Sequence, residues 1–200
     1  VIAILDYGSG NLHSVSRALA RVGGDPIVTG DPAEVARSDA LVIPGVGHFG
    51  SCMRAICHHS LDEAIRAFRA TGRPVFGVCV GMQVLFQGSD EDPEDGLAVL
   101  PGRVRRLPEG VKVPHMGWNT VTWTRSHPYT EDVPDGTRFY FVHSYAPDPS
   151  DDAAGVTEHG RPFMAAVAHD NVFATQFHPE KSGEPGLQLY ERFAKAVAGQ

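Results

Sequence analysis

The sequence predicts an α/β fold, a doubly wound and mostly parallel sheet with helices on both faces and an added antiparallel β portion in its second half. Three observations predict it. Apolar runs at residues 1–5, 40–43 and 74–78 have the unbroken character of strands buried on both faces, and each runs into a glycine-containing turn. The third run leads into Gly77-Val78-Cys79-Val80-Gly81, a cysteine on a sharp turn between strand and helix. Beyond residue 98 the pattern changes to short strand-like runs, many separated by Pro and Gly.

Composition bounds the class. The 200 residues are 42% hydrophobic and 20% charged, as expected of one globular domain, residues 1–200, with a large core. A net charge of −7 argues against nucleic acid or an anionic membrane as the main partner. No apolar stretch approaches a membrane span, and the first residues lack the basic and apolar regions of a secretion leader. Cys52, Cys57 and Cys79 form neither a disulfide framework nor a zinc spacing, so a reducing, cytoplasmic location is expected. There is no internal repeat, low-complexity tract or linker.

Taken in order, the run at 1–5 is a central strand that ends in Asp6-Tyr7-Gly8-Ser9-Gly10-Asn11. Leu12, Val15, Leu19 and Val22 then recur at helical spacing, with Asn11 near the helix start. Strand, Gly-rich turn and helix invite a dinucleotide-binding reading, but the third glycine is absent and no Walker lysine follows. Ile27-Val28 gives a short strand. Asp31 suits an N-cap, Pro32 the first turn, and Glu34 the far side of a capping box. The strand at 40–43 runs into Pro44-Gly45-Val46-Gly47-His48-Phe49-Gly50. Such a loop either presents backbone N–H groups to an anion or is a plain turn, and its own residues leave both open.

Helical patterns follow over 51–58 and 61–71, with Gly72 at C′. Residues 82–86 open another helix, and 89–96 form an acidic loop close in sequence to Cys79. Short strands are expected at 99–107, 111–113, 119–123, 138–143, 164–169 and 172–177, as meanders and hairpins on one side of the parallel core. A turn at His169-Asp170-Asn171 joins the last two. Leu187, Leu189, Tyr190, Phe193, Ala194 and Val197 form a closing amphipathic helix.

The chemistry is concentrated at Cys79. Its surroundings match the nucleophile elbow G-x-S-x-G with sulfur in place of oxygen. So tight a strand-to-helix turn forces the nucleophile into strained dihedrals and leaves no room for side chains two residues to either side. The helix N-terminus favours thiolate over thiol. A small core cysteine in a Gly-rich turn would carry the same five residues, so a base must decide. Phe177-His178-Pro179-Glu180 supplies it. Pro179 pushes His178 toward extended backbone, where residues two apart project to one side, so Glu180 can reach the ring and hold its tautomer. Elbow cysteine and strand-end His-Pro-Glu together argue a Cys-His-Glu acyl-transfer enzyme.

Gly-Val-Cys-Val-Gly-Met-Gln around Cys79 and Gln-Phe-His-Pro-Glu-Lys-Ser around His178 resemble the class I (triad) glutamine amidotransferases. The stretches 6–12, 44–49, 114–119 and 139–145 narrow the resemblance to a branch whose glutaminase subunits serve a separate (β/α)8-barrel cyclase. It covers almost the whole chain, and no motif is broken; Ser144 stands where many relatives carry Thr. The resemblance implies the class I, flavodoxin-like form of the fold, with no metal and no cofactor. It implies that Cys79 attacks the carboxamide of L-glutamine, that His178 serves the leaving ammonia and then water, and that Glu180 orients His178. The oxyanion would be met by the Val80 N–H and by an N–H of the 44–47 loop, at Val46 or Gly47. Gly47, Gln83, Ser144 and Tyr145 would contact glutamine, with Glu91 on its α-ammonium. Asn11, Met116, Trp118, Tyr140 and Lys181 match positions facing the cyclase, which would receive ammonia through a dry conduit in a heterodimer.

Other readings use the same residues. A standalone cysteine hydrolase or peptidase would build on the same elbow, and a silent interaction subunit is disfavoured because every triad position is filled. Within the family, the glutaminase of pyridoxal 5'-phosphate synthase is the nearest competitor, and the stretches 44–49 and 114–119 speak against it.

Overall fold

The computed structural model describes residues 1–199. Its first half comprises β1 (Ile2–Leu5), α1 (Leu12–Arg21), β2 (Pro26–Thr29), α2 (Pro32–Arg37), β3 (Ala40–Ile43), α3 (Phe49–His58), α4 (Leu61–Ala70), β4 (Val75–Val78) and α5 (Val80–Gln83). The rest adds β5 (Gly88–Ser89), β6 (Asp92–Asp95), β7 (Arg103–Arg106), β8 (His115–Thr120), β9 (Thr122–Trp123), β10 (Arg138–His143) and β11 (Tyr145–Pro147). Then come β12 (Ala153–Glu158), β13 (Pro162–His169), β14 (Val172–Thr175), a 3-10 turn (Pro179–Lys181) and α6 (Gly183–Ala198).

The predicted doubly wound sheet is the sheet observed. Five strands run parallel in the order β2-β1-β3-β4-β14, the flavodoxin-like order, and β13, β12 and β9 continue the sheet antiparallel. β1, β3, β4 and β14 are buried along their whole length, which is why their sequences are apolar without alternation. Right-handed crossovers set α1 on the face opposite α2, α3 and α4. There α1 packs on α6, while α2 and α3 pack on α4. Under the elbow, Phe76 of β4 lies 5.5 Å from Tyr190 and 5.3 Å from Phe193 of α6, ring to ring, so strand and closing helix share one aromatic core.

Several local expectations are corrected. β14 is not part of an appended meander alone. It forms the expected hairpin with β13, turning at Asp170 (φ +49°), and it also enters the parallel core beside β4. The acidic loop is a hairpin of β5 and β6, with Arg54 set against Asp92 and Glu94 at 3.4 Å each. The helix expected from 82 onward ends after one turn at Gln83. The N–H groups of Leu97, Val99 and Leu100 take the Val84 and Leu85 carbonyls at 2.8 Å, ending the helical ladder. Asp31 does cap α2, accepting from Ala33 N–H at 2.8 Å, but no capping box forms. Glu34 instead takes the Thr29 hydroxyl, and the Asp31 N–H goes to Thr29 Oγ1 at 3.0 Å. Residues 111–113, bracketed by Pro108 and Pro114, form no strand, and 99–107 yields only β7. β10 pairs with β8 as a separate two-stranded ribbon, and β11-β7-β5-β6 form a third sheet. β11 and β12 escaped the sequence pattern because neither carries alternating large apolar residues.

Candidate active site

Cys79 stands at the carboxyl end of β4 with φ +54° and ψ −113°, a conformation that L-residues keep only when neighbours enforce it. The neighbours do. Its N–H donates to Thr175 O of β14 at 2.8 Å, and its carbonyl accepts from Met82 and Gln83 at 3.0 and 3.1 Å. A Cβ on Gly81 would lie 1.8 Å from Ile43 O, and one on Gly77 would lie 2.9 Å from Gly81 O. The elbow is therefore wedged between β3 and β4, and both flanking glycines are obligatory.

His178 follows β14, the strand beside β4, so the sheet order itself brings His178 to Cys79. Its backbone is extended (φ −98°, ψ 102°), as Pro179 requires. The chain then folds into a 3-10 turn, so Glu180 meets the ring through that turn and not through extended i, i+2 geometry. The contact is the expected one, Glu180 Oε1 to His178 Nδ1 at 2.8 Å, with both side chains 1% exposed. Tyr190 donates to the other carboxylate oxygen at 3.5 Å. The backbone is pinned as well: His178 N–H donates to Tyr140 O at 3.0 Å, and Ser182 Oγ bridges His178 O (2.6 Å) and Tyr140 N–H (2.9 Å).

Burial pushes the imidazole toward neutrality, but the neighbouring Cys79 and the Glu180 carboxylate outweigh it and raise the His178 pKa to about 10. Its Nε2 is buried with no hydrogen-bond partner among the described residues, at the same cavity as Cys79. A buried donor left open beside a cysteine is ready for a proton transfer.

The cavity has a volume of ≈ 340 Å³. Of the residues predicted to act on substrate, Val46, Gly47, Cys79, Val80, Gln83, Glu91, Ser144, Tyr145 and His178 all line it, together with Lys181. Glu180 stands behind the histidine. Glu91 is brought in by the β5–β6 hairpin and accepts from the Phe49 N–H at 3.0 Å, at the start of α3.

The loop after β3 is latched. The Val80 N–H, expected to meet an oxyanion, donates at 3.3 Å to Gly45 O. Tyr7 OH donates to Pro44 O, and Val46 O accepts from Ser9 Oγ at 3.0 Å and from Cys52 Sγ at 3.5 Å. Gly47, at φ +92°, keeps the left-handed freedom that a turning peptide needs. Gly45 is also held by contact, since a Cβ there would lie 2.5 Å from Gly81 N.

Met116 (60% exposed) and Trp118 (49%) share one face of β8, opposite Val142 and Tyr140 of β10. Trp118 and Tyr140 meet edge to face at 6.1 Å. This apolar face joins the cavity through Val142, and Lys181 lines that cavity. Asn11 stands at the N-cap of α1, where its side chain makes no capping bond.

Sequence reasoning missed the groups that support these. Gln83 donates to Tyr145 O at 3.0 Å and to Gln176 Oε1 at 3.1 Å, and Gln176 Nε2 donates to Cys79 Sγ at 3.8 Å. Tyr145 O also meets His143 Nδ1 at 2.9 Å, and His143 Nε2 meets His115 Nδ1 at 2.9 Å. Burial lowers the pKa of these two rings to about 3 and about 4, so both are neutral. Gln176 and Ser182 were visible as parts of the motif around His178, but nothing local says what they touch.

The arrangement also has counterparts in known proteins. The model of the class-I glutamine amidotransferase family matches residues 3–197. Imidazole glycerol phosphate synthase subunit HisH of Dehalococcoides mccartyi (strain CBDB1) is 44% identical over 100% of this chain and 98% of its own. The subunit of the same name from Methanothermobacter thermautotrophicus is 46% identical over 98% and 99%. Among solved structures, PurLQS from Thermotoga maritima superposes with a TM-score of 0.77 at 19% identity, covering 98% of each chain, which shows a shared fold. With an elbow cysteine, a strand-end His-Pro-Glu and a family match along nearly its whole length, the chain belongs to the class-I glutamine amidotransferases.

Proposed function

We infer that this chain is the glutaminase subunit of imidazole glycerol phosphate synthase, releasing ammonia from L-glutamine for a second subunit. The observation that carries the chemistry is the convergence of a strained Cys79 and His178, with its open Nε2, on one cavity, with Glu180 behind the ring on Nδ1. Cys79 Sγ attacks the glutamine Cδ, forming a C–S bond as negative charge gathers on the carboxamide oxygen. His178 gives its Nε2 proton to the departing nitrogen, and the C–N bond breaks to leave a γ-glutamyl thioester and ammonia. Water, deprotonated by His178, then attacks the thioester to release glutamate and the thiolate. Glu180 holds the ring through Nδ1. Glu91 takes the α-ammonium of glutamine, with Gly47, Gln83, Ser144 and Tyr145 around the rest.

The oxyanion goes to the Val80 N–H and to an N–H at Val46 or Gly47. Because Gly45 O now occupies the Val80 donor, the Gly45–Val46 peptide turns before the site is complete. The partner is the (β/α)8-barrel cyclase HisF, in a heterodimer, docked on Met116, Trp118 and Tyr140 with Lys181 and Asn11 at the margin. Ammonia in bulk water would be mostly protonated and unable to attack, so a shielded path into this cyclase is a chemical requirement. There it joins phosphoribulosyl-formimino aminoimidazole carboxamide ribonucleotide, giving imidazole glycerol phosphate and aminoimidazole carboxamide ribotide in cytoplasmic histidine biosynthesis.

Cys79→Ala tests the reading. The purified variant complex with the cyclase should lose glutamine-dependent synthesis and keep synthesis from added ammonia. Retained glutamine turnover, or no complex at all, would refute it.

A further inference from the structure

The catalytic sequence above leaves the buried Gln176 unused. Gln176 is fully buried, directly before the Phe-His-Pro-Glu segment, and its Nε2 lies 3.8 Å from Cys79 Sγ. Its neighbours determine which end of the amide faces the sulfur. Both N–H groups of the Gln83 amide are spent, one on Tyr145 O (3.0 Å) and one on Gln176 Oε1 (3.1 Å). Gln176 therefore presents its oxygen to Gln83 and its NH2 to Cys79.

The carbonyl that takes Gln83 is held in turn by a chain that starts at the cavity wall. A backbone carbonyl only accepts, so His143 Nδ1 carries the proton in its contact with Tyr145 O. A neutral His143 then accepts at Nε2 from His115 Nδ1, and His115 Nε2 accepts from Asn119 Nδ2 at 3.2 Å. Every donor in this chain has one direction available to it. The line runs from β8, one residue from exposed Trp118, through β10 to the elbow.

We propose that Gln176 is a positioning residue for the nucleophile. Its amide donates to the Cys79 sulfur, favouring the thiolate and aiming it along the cavity, with its own orientation imposed by Gln83. The inference deepens the glutaminase reading by naming a residue that acts through Cys79. It does not need glutamine to be the substrate, because the readout is the sulfur itself.

The test is the rate at which iodoacetamide alkylates Cys79, followed on the Cys79 peptide by mass spectrometry in the intact chain. Gln176→Met keeps volume and removes the donor. It should slow alkylation at neutral pH about tenfold, the scale of one hydrogen bond to a charged group. The difference should shrink at alkaline pH, where a thiol ionises unaided. A role in packing alone would not produce that pH-dependent gap. Should Gln176→Met fail to fold, Gln176→Glu preserves the shape and puts a carboxylate beside the sulfur, and it should slow alkylation further still. A folded variant of either kind that reacts at the wild-type rate at neutral pH overturns the proposal, whatever the glutamine assays give.

Discussion

At the scale of single residues, the protonation of His178 decides what the site can do. The folded pKa, about 10, lies above the 6.5 of an unperturbed histidine, so the native chain keeps a proton that the unfolded chain releases between those values. The stabilisation this brings is complete below pH 6.5 and is lost as pH rises through about 10. Glu180→Gln removes one of the charges that raise the value. We therefore expect the alkaline limb of kcat/KM for glutamine to move to lower pH, and the melting temperature to depend less on pH across the same window. An unmoved limb would mean that Glu180 does not act through the imidazole. Cys79, His178 and Glu180 were legible in the sequence because a tight turn and a proline constrain the backbone around them. Gln176 was not, because its partners Gln83 and Cys79 lie 93 and 97 residues earlier.

At the scale of elements, the proposed mechanism puts the control in the loop after β3. Its three carbonyls are held from β1's turn by Tyr7 and Ser9, from α3 by Cys52 and from the elbow by Val80. Ser9→Ala removes one of the two donors on Val46 O, in the peptide next to Gly45–Val46, so the loop is held less firmly and that peptide turns more readily. The glutaminase rate of the isolated chain should rise about fivefold, in line with one net hydrogen bond of ~1 kcal/mol, measured as glutamate released. An unchanged or lower rate would count against the latch. Gly45→Pro, an obvious way to lock the loop, is unsuitable, since a Cβ at Gly45 already collides with Gly81 N at 2.5 Å. The parallel strands of the first half could be read from the sequence, since burial on both faces writes an unbroken apolar run. β14 could be read as a strand but not placed. Its pairing with β4 spans nearly a hundred residues, and only the sheet order shows that it delivers His178 to Cys79.

For the molecule as a whole, the exposed face of β8 and β10 is tied directly to His178. Tyr140 offers its side chain to that face while its backbone N–H and C=O hold Ser182 and His178. Trp118→Ala should weaken binding of the cyclase by at least about tenfold in a titration, the loss typical of a central aromatic anchor. Lys181→Ala should weaken it far less, since one rim ion pair is worth ~0–1 kcal/mol. It should instead raise the ratio of glutamine hydrolysed to cyclase product. The reverse pattern would relocate the docking centre.

Under the proposed mechanism, the Gly45 carbonyl on the Val80 N–H is an inhibitor carried within the chain. Being tethered, it competes for that donor at a fixed effective concentration, on the order of millimolar for a short flexible connection. It competes with the oxyanion, which exists only in the transition state, and not with bound glutamine. More substrate cannot displace it. The isolated chain should therefore show an ordinary KM and a depressed kcat, and saturating glutamine should leave the deficit untouched.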